Sequence, residues 1–140
     1  DSFKYNLEFA IESKFYLANF NPLTPTPGAP LYDRLKKEGR LINDPWWLSP
    51  DFKYGQAQFY PKQMTPEELT EGCFKARTEF NTFSNIFKRS LDLKANMSSP
   101  YHAAMFLASN LISKREIRKK QVDYLQDKDQ KFFLGKPRSV

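Results

Sequence analysis

Proline is crowded into one half of this chain, and that crowding limits what each half can become. Eight of the ten prolines lie between Pro22 and Pro66; only Pro100 and Pro137 follow. Proline fixes φ, lacks an N–H and biases the residue before it away from the helix. The first half is therefore expected to be loop-rich with short elements, and the second half to form long helices. At 140 residues the chain has the size of one ordinary domain, and 40% apolar content is enough to fill a core. No run of about 18 apolar residues occurs, so no membrane span is expected. A charged-then-apolar leader is missing as well, so no secretory signal is expected. The sequence opens on Asp1 rather than methionine and reads as a piece of something larger.

Cys73 and His102 are the only cysteine and the only histidine. Four-ligand zinc sites and cysteine-ligated iron–sulfur clusters cannot be assembled from that inventory. A disulfide framework is excluded, and a single thiol fits a reducing cytoplasm. The five glycines form no phosphate-cradling loop. Composition alone declares no activity.

The net charge of +6 is unevenly spread, with five of the six excess charges after Phe106. They centre on Lys114, Arg115, Arg118, Lys119 and Lys120, interrupted by Glu116. Such a run is ordinarily a solvated helix face. It is also the chain's candidate anion-binding surface.

Along the chain, residues 2–14 read as a helix with Phe3, Leu7, Ala10 and Ile11 on one face. Tyr16 to Thr24 reads as an extended strand, with Pro22 favouring an edge. Thr24, Pro25, Pro27 and Gly28 then form a rigid loop motif. Pro30 opens a short helix with Leu31, Tyr32 and Leu35 inward, and Gly39 ends it. Trp46 and Trp47 are expected to pin an irregular loop, and a short strand is expected near 54–60. Thr65, Pro66 and Glu68 make a capping-box start. Leu69, Cys73, Ala76, Phe80, Phe83 and Phe87 then form one stripe, which predicts a continuous helix to about Leu91 with Cys73 as a buried structural thiol. A second long helix should start at Ser99–Pro100 and run to about Leu125. Its packing face is expected to be Tyr101, Ala104, Met105, Ala108, Leu111 and Ile112. His102 has no carboxylate near it in sequence that would make it a general base.

The fold class implied is α+β and mostly helical: two long C-terminal helices packed with a shorter helix and a small sheet pairing 17–23 with 56–60. The expected division is a helix–strand–helix unit over 1–42, a helical accessory domain over 43–126 and a flexible tail over 127–140.

The stretch Leu23-Thr24-Pro25-Thr26-Pro27-Gly28-Ala29-Pro30-Leu31-Tyr32, followed by Leu35 and Glu38-Gly39-Arg40-Leu41, resembles the TPYPGTPLY…L…EGR pattern of the cobalamin-binding radical S-adenosylmethionine family. Phe59-Tyr60-Pro61-Lys62 and Met64-Thr65-Pro66-Glu67-Glu68-Leu69 are similar to the PK-x-M-[ST]-P-E-E-L segment of the same proteins. The resemblance covers most of residues 7–90. It implies a parent enzyme with a cobalamin-binding domain and a barrel holding a CxxxCxxC-ligated [4Fe–4S] cluster that cleaves S-adenosylmethionine. Residues 2–24 would then be the last helix and strand of that barrel, and the rest a C-terminal cap often classed as a domain of unknown function.

On this resemblance the chain itself is non-catalytic and holds no cofactor, while [4Fe–4S], S-adenosylmethionine and cobalamin belong to the parent. Phe20, Asn21 and Leu23 would lie on the adenine side of S-adenosylmethionine. The implied partners are the parent's upstream domains, with self-association of the isolated piece through its uncovered strand edge. Two other readings stand beside it: a helical protein-interaction module, and RNA binding through Lys114–Lys120, although nucleic acid is the less expected partner.

Overall fold

The computed structural model describes residues 2–50 and 52–134, and the side chains of 2–50, 52–117 and 119. The described residues are mostly helical. Five α-helices form: α1 Ser2–Glu12, α2 Pro30–Lys37, α3 Pro66–Phe80, α4 Phe83–Ser90 and α5 Pro100–Leu134, with a 3₁₀ turn at Trp46–Leu48. The chain divides into two compact units, one of Asp1–Lys4 with Asn19–Ala76, the other of Tyr5–Ala18 with Arg77–Val140.

Local punctuation starts and stops the helices of the first unit. α2 opens on Pro30 and ends with the Arg40 N–H on the Leu35 carbonyl (2.9 Å) and the Gly39 N–H on that of Lys36 (3.1 Å). Gly39 takes φ +64°, as this C-terminal motif requires. α3 starts on the expected capping box: Thr65 N–H donates to Glu68 Oε2 (2.8 Å) and Glu68 N–H to Thr65 Oγ1 (3.1 Å). One turn on, buried Thr70 accepts from the Ala57 N–H (3.0 Å) and donates to the Pro66 carbonyl (2.7 Å). That pair ties the loop before α3 to its first turn. Cys73, Phe74 and Ala76 supply the buried side of α3 in this unit.

No sheet is found among the described residues. The only pairing there is an isolated antiparallel bridge between Leu41 and Phe59, with Ile42 N–H donating to Gln58 O and Tyr60 N–H to Arg40 O. Residues 16–24 are neither strand nor helix, so the expected pairing of 17–23 with 56–60 is not formed. Pro22 and Pro25 remove donors that a ladder would need. The partner of 56–60 is instead the segment just past α2, close to it in sequence and free of proline.

In the second unit the stripe that predicts one helix from 65 to 91 is interrupted at Asn81–Thr82. Asn81 Nδ2 donates back to the Arg77 carbonyl (2.9 Å), and Thr82 Oγ1 donates to that of Glu79 (3.0 Å). Thr82 is itself extended and caps α4, accepting from the Asn85 N–H. Side chains of this kind compete with the helical ladder for its own donors and acceptors. The break resets the phase. Phe83 and Phe87, expected inside, are 65% and 66% exposed, while Asn85, Ile86 and Arg89 are buried.

α5 begins at Pro100 as expected, but it buries the opposite side. Phe106, Asn110 and Ile117 face inward, and the six residues predicted to pack are not among the buried ones. The inward side is set by the polar demands of Arg89, which apolar periodicity does not register. The helix runs to Leu134, so residues 127–134 of the expected tail have helical backbone. Residues 135–140 lie outside the described ones.

Candidate functional site

The loop motif and the segment before it lie together in the first unit. The loop folds on itself, with Thr26 N–H donating to Thr24 O (2.9 Å) and Ala29 N–H to Thr26 O (3.1 Å). Gly28 sits at φ +82°, where a side chain would meet nothing within 4 Å, so glycine is needed there for its backbone and not for space. Pro25 is fully buried, and its carbonyl accepts from the indole Nε1 of buried Trp46 (3.0 Å).

Trp46 is the centre of an aromatic group. Its ring lies 5.6 Å from Trp47 and 5.1 Å from Phe52, and Trp47 lies 6.0 Å from Tyr32. The two tryptophans thus pin the loop as expected. The indole hydrogen bond to Pro25, twenty-one residues away, extends that grip to the proline motif.

Beside this group, Tyr32 Oη donates to Asp44 Oδ1 (2.6 Å), and Lys36 Nζ lies 3.0 Å from Asp44 Oδ2. The Tyr32 hydrogen bond, then the Lys36 ammonium, hold the Asp44 carboxyl below its ordinary range. Asp44 in return raises Tyr32 and Lys36. At neutral pH all three are held in their ordinary protonation states, so none is poised for proton transfer. The cluster serves to fasten the loop 43–48 to α2.

The residues expected on the adenine side are Phe20, half-buried, Asn21, exposed, and Leu23, 68% exposed. They precede the loop directly and carry no regular secondary structure. With the Pro25 carbonyl already taken, the loop offers Thr24 and Thr26, both exposed, as the polar surface a ligand could meet.

The basic run is partly committed to structure. Lys114 Nζ donates to the Asn81 carbonyl (3.2 Å) and sits 3.9 Å from the Phe83 ring centroid, closing over the helix break. Lys119 lies 3.8 Å from Glu116, and Arg115 is exposed. The side chains of Arg118 and Lys120 lie outside the described residues.

Two groups escape a reading by sequence. Ser98 and Ser99 place their hydroxyls 3.0 and 2.9 Å from His102 Nδ1, and Ser99 Oγ also accepts the His102 N–H (3.2 Å). The Ser-Ser-Pro-x-His spacing is the signal that could have shown this cap. The other is Arg89, buried in the second unit with every guanidinium N–H on an oxygen. Its signal was only the slipped helix phase after Asn81.

Cys73 is buried on α3. Among the described residues no group of three or more His, Cys, Asp or Glu is placed to hold a metal ion. No described helix is long and apolar enough to cross a membrane. Comparison of the chain with protein-family models, with curated proteins and with solved structures finds no match.

Proposed function

We propose that this chain is the non-catalytic C-terminal accessory part of a cobalamin-dependent-type radical S-adenosylmethionine enzyme, helping to close its barrel and shape substrate access. The observation that carries this reading is the segment 17–24, which carries no regular secondary structure. It leads into a Thr-Pro-Thr-Pro-Gly loop held by the Trp46 indole, and Leu23 on it is largely exposed. Segments of this kind are completed by neighbouring strands supplied from elsewhere. On this reading Phe20, Asn21 and Leu23 line the adenine side of S-adenosylmethionine, and the loop follows the last barrel strand. The cluster, S-adenosylmethionine and cobalamin are held by the parent, and no step of the reaction is assigned to this chain. A cytoplasmic location belongs to the same reading, on the strength of the lone thiol.

The test is the full reading frame. A CxxxCxxC motif upstream of Asp1, and a full-length protein that binds an oxygen-sensitive cluster and cleaves S-adenosylmethionine, are the expected results. An upstream sequence without that motif, or none at all, overturns the proposal. So would stoichiometric iron or turnover in the isolated 140-residue chain.

A further inference from the structure

Three consecutive carbonyls just past α1 are gripped by buried side chains of the second unit. Asn96 Nδ2 donates to the Lys14 carbonyl (2.9 Å), and Arg89 Nη1 donates to those of Phe15 and Tyr16 (3.0 and 3.1 Å). Asn110 Nδ2 donates to the Tyr16 carbonyl as well (3.2 Å). The same two asparagines donate to the Arg89 carbonyl of α4 and the Phe106 carbonyl of α5 (2.9 and 2.8 Å), so the grip is tied to both helices. Arg89 also takes the carbonyl of Phe80, the last residue of α3. Two helix C-termini thus meet at one guanidinium, where the negative ends of their dipoles favour a cation. α1 itself closes on Lys14 at φ +52°, with the Lys14 and Phe15 N–H groups on the Ile11 and Ala10 carbonyls. Directly after this anchored turn comes the segment 17–24, whose far end is held in the first unit through the Pro25 carbonyl on Trp46 Nε1. Both grips take backbone carbonyls and leave Leu17, Asn21 and Leu23 exposed.

We infer that Arg89, Asn96 and Asn110 are positioning residues for S-adenosylmethionine, fixing the root of segment 17–24 and so the place of Phe20, Asn21 and Leu23 against the adenine. The ligand is taken from the radical-enzyme reading, on which this inference rests; the anchoring of 14–16 does not depend on it. The segment has neither a helix nor a strand ladder to keep its shape, so its two held ends govern its conformation. A segment left free would have to be ordered at the moment of binding, and that cost weakens affinity. The chemistry of the grip suits the task. Hydrogen bonds are directional, so donors on three successive carbonyls fix the register of the chain, which apolar packing alone would let slip.

Backbone NMR relaxation of the 140-residue chain reads the anchoring alone. Equilibrium dialysis of S-adenosylmethionine with the full-length enzyme reads the positioning. Asn110→Asp keeps an acceptor for Arg89 and deletes the donor to the Tyr16 carbonyl; Asn96→Leu deletes the donor to that of Lys14. Each should lower the order parameters over 17–21 from about 0.85 to about 0.6 or below, with those of α2 and α3 unchanged. Each should also raise the Kd for S-adenosylmethionine about tenfold, as when the competent conformation falls to about a tenth of the population, with iron content unchanged. Ile86→Val trims the buried core of the same unit without touching these carbonyls and should alter neither readout. Unchanged order over 17–21 in both variants overturns the inference, as does a loosened segment with unchanged Kd. Weaker binding reproduced by Ile86→Val would mark a general loosening and overturns it too. A wild-type full-length protein without affinity for S-adenosylmethionine overturns both the radical-enzyme reading and the positioning role, and the relaxation data tell that failure apart from a failure of the anchoring.

Discussion

The guanidinium of Arg89 donates from Nη2 to the side-chain oxygen of Asn110 at 2.9 Å, and both residues are fully buried. The remaining donors reach the carbonyls of Asn85, Phe15, Tyr16 and Phe80 at 3.0 to 3.2 Å. The Phe80 ring lies against the guanidinium, 3.7 Å from its centroid to Cζ. Five N–H groups thus meet five neutral oxygens, and the charge is spread over amide dipoles. Burial lowers the Arg89 pKa to about 10, which leaves it protonated at neutral pH.

Arg89→Met should destabilise the chain by about 3–5 kcal/mol, because it strands several inward carbonyls and empties the site of its donor set. Asn110→Leu removes one acceptor and leaves the cation one oxygen short. A double-mutant cycle by urea unfolding should give a coupling of about 1.5–3 kcal/mol, the range of a hydrogen bond to a charged group. A coupling near zero would show that the 2.9 Å contact contributes nothing. If Arg89→Met does not fold, Arg89→Lys provides the second corner.

Asp44 predicts an acid limb in stability. Its folded-state pKa is lowered by Tyr32 and then Lys36, so its contribution is fully present above the ordinary value of 3.8. The contribution is lost as pH falls below that value through the lowered one. Tyr32 and Lys36 are raised, so their share persists below their ordinary values of 10.0 and 10.5 and is lost above them. Thermal unfolding from pH 7 down to about 2 should therefore show a decline below the ordinary carboxyl value that Asp44→Asn makes shallower. An identical slope in the variant would remove Asp44 from the account.

Gly72 is a place where an added side chain would meet a close neighbour. A Cβ there would stand 2.6 Å from the Phe3 ring, although alanine is otherwise favoured in a helix by about 1 kcal/mol. Gly72→Ala should destabilise the native chain but stabilise the Phe3→Ala variant by about 1 kcal/mol. Both differences are read from chemical denaturation midpoints. The same sign in both backgrounds would mean that the ring moves aside without cost.

Trp46→Phe keeps an aromatic ring, smaller than the indole, and deletes the donor to the Pro25 carbonyl. The expected loss is about 1–3 kcal/mol, the cost of a buried acceptor left unmade. Amide exchange should speed up at Thr26 and Ala29, whose N–H groups close the loop. Unchanged exchange would separate the tryptophan from the order of the proline motif.

Much of the helical content was legible because helix ends are local chemistry. The Thr65–Glu68 box, Pro30, Pro100 and Gly39 each act within a few residues, and each lies where the sequence put it. The candidate loop was legible for the same reason, its turn depending on Gly28 and its own carbonyls. The grip of Trp46 on that loop was not, since nothing in either segment names the other.

Caps, turns and the proline-divided plan follow from the amino-acid order alone, because their hydrogen bonds close within one turn of chain. Which side of α4 and α5 faces inward was decided only by tertiary structure. Apolar counting favours Phe83, Phe87 and the Tyr101–Ile112 stripe, yet the buried residues are Ile86, Arg89, Phe106 and Asn110. A buried guanidinium must have all its donors met, and the acceptors that meet it come from Phe15, Phe80 and Asn110, far apart in sequence and brought together only by the fold.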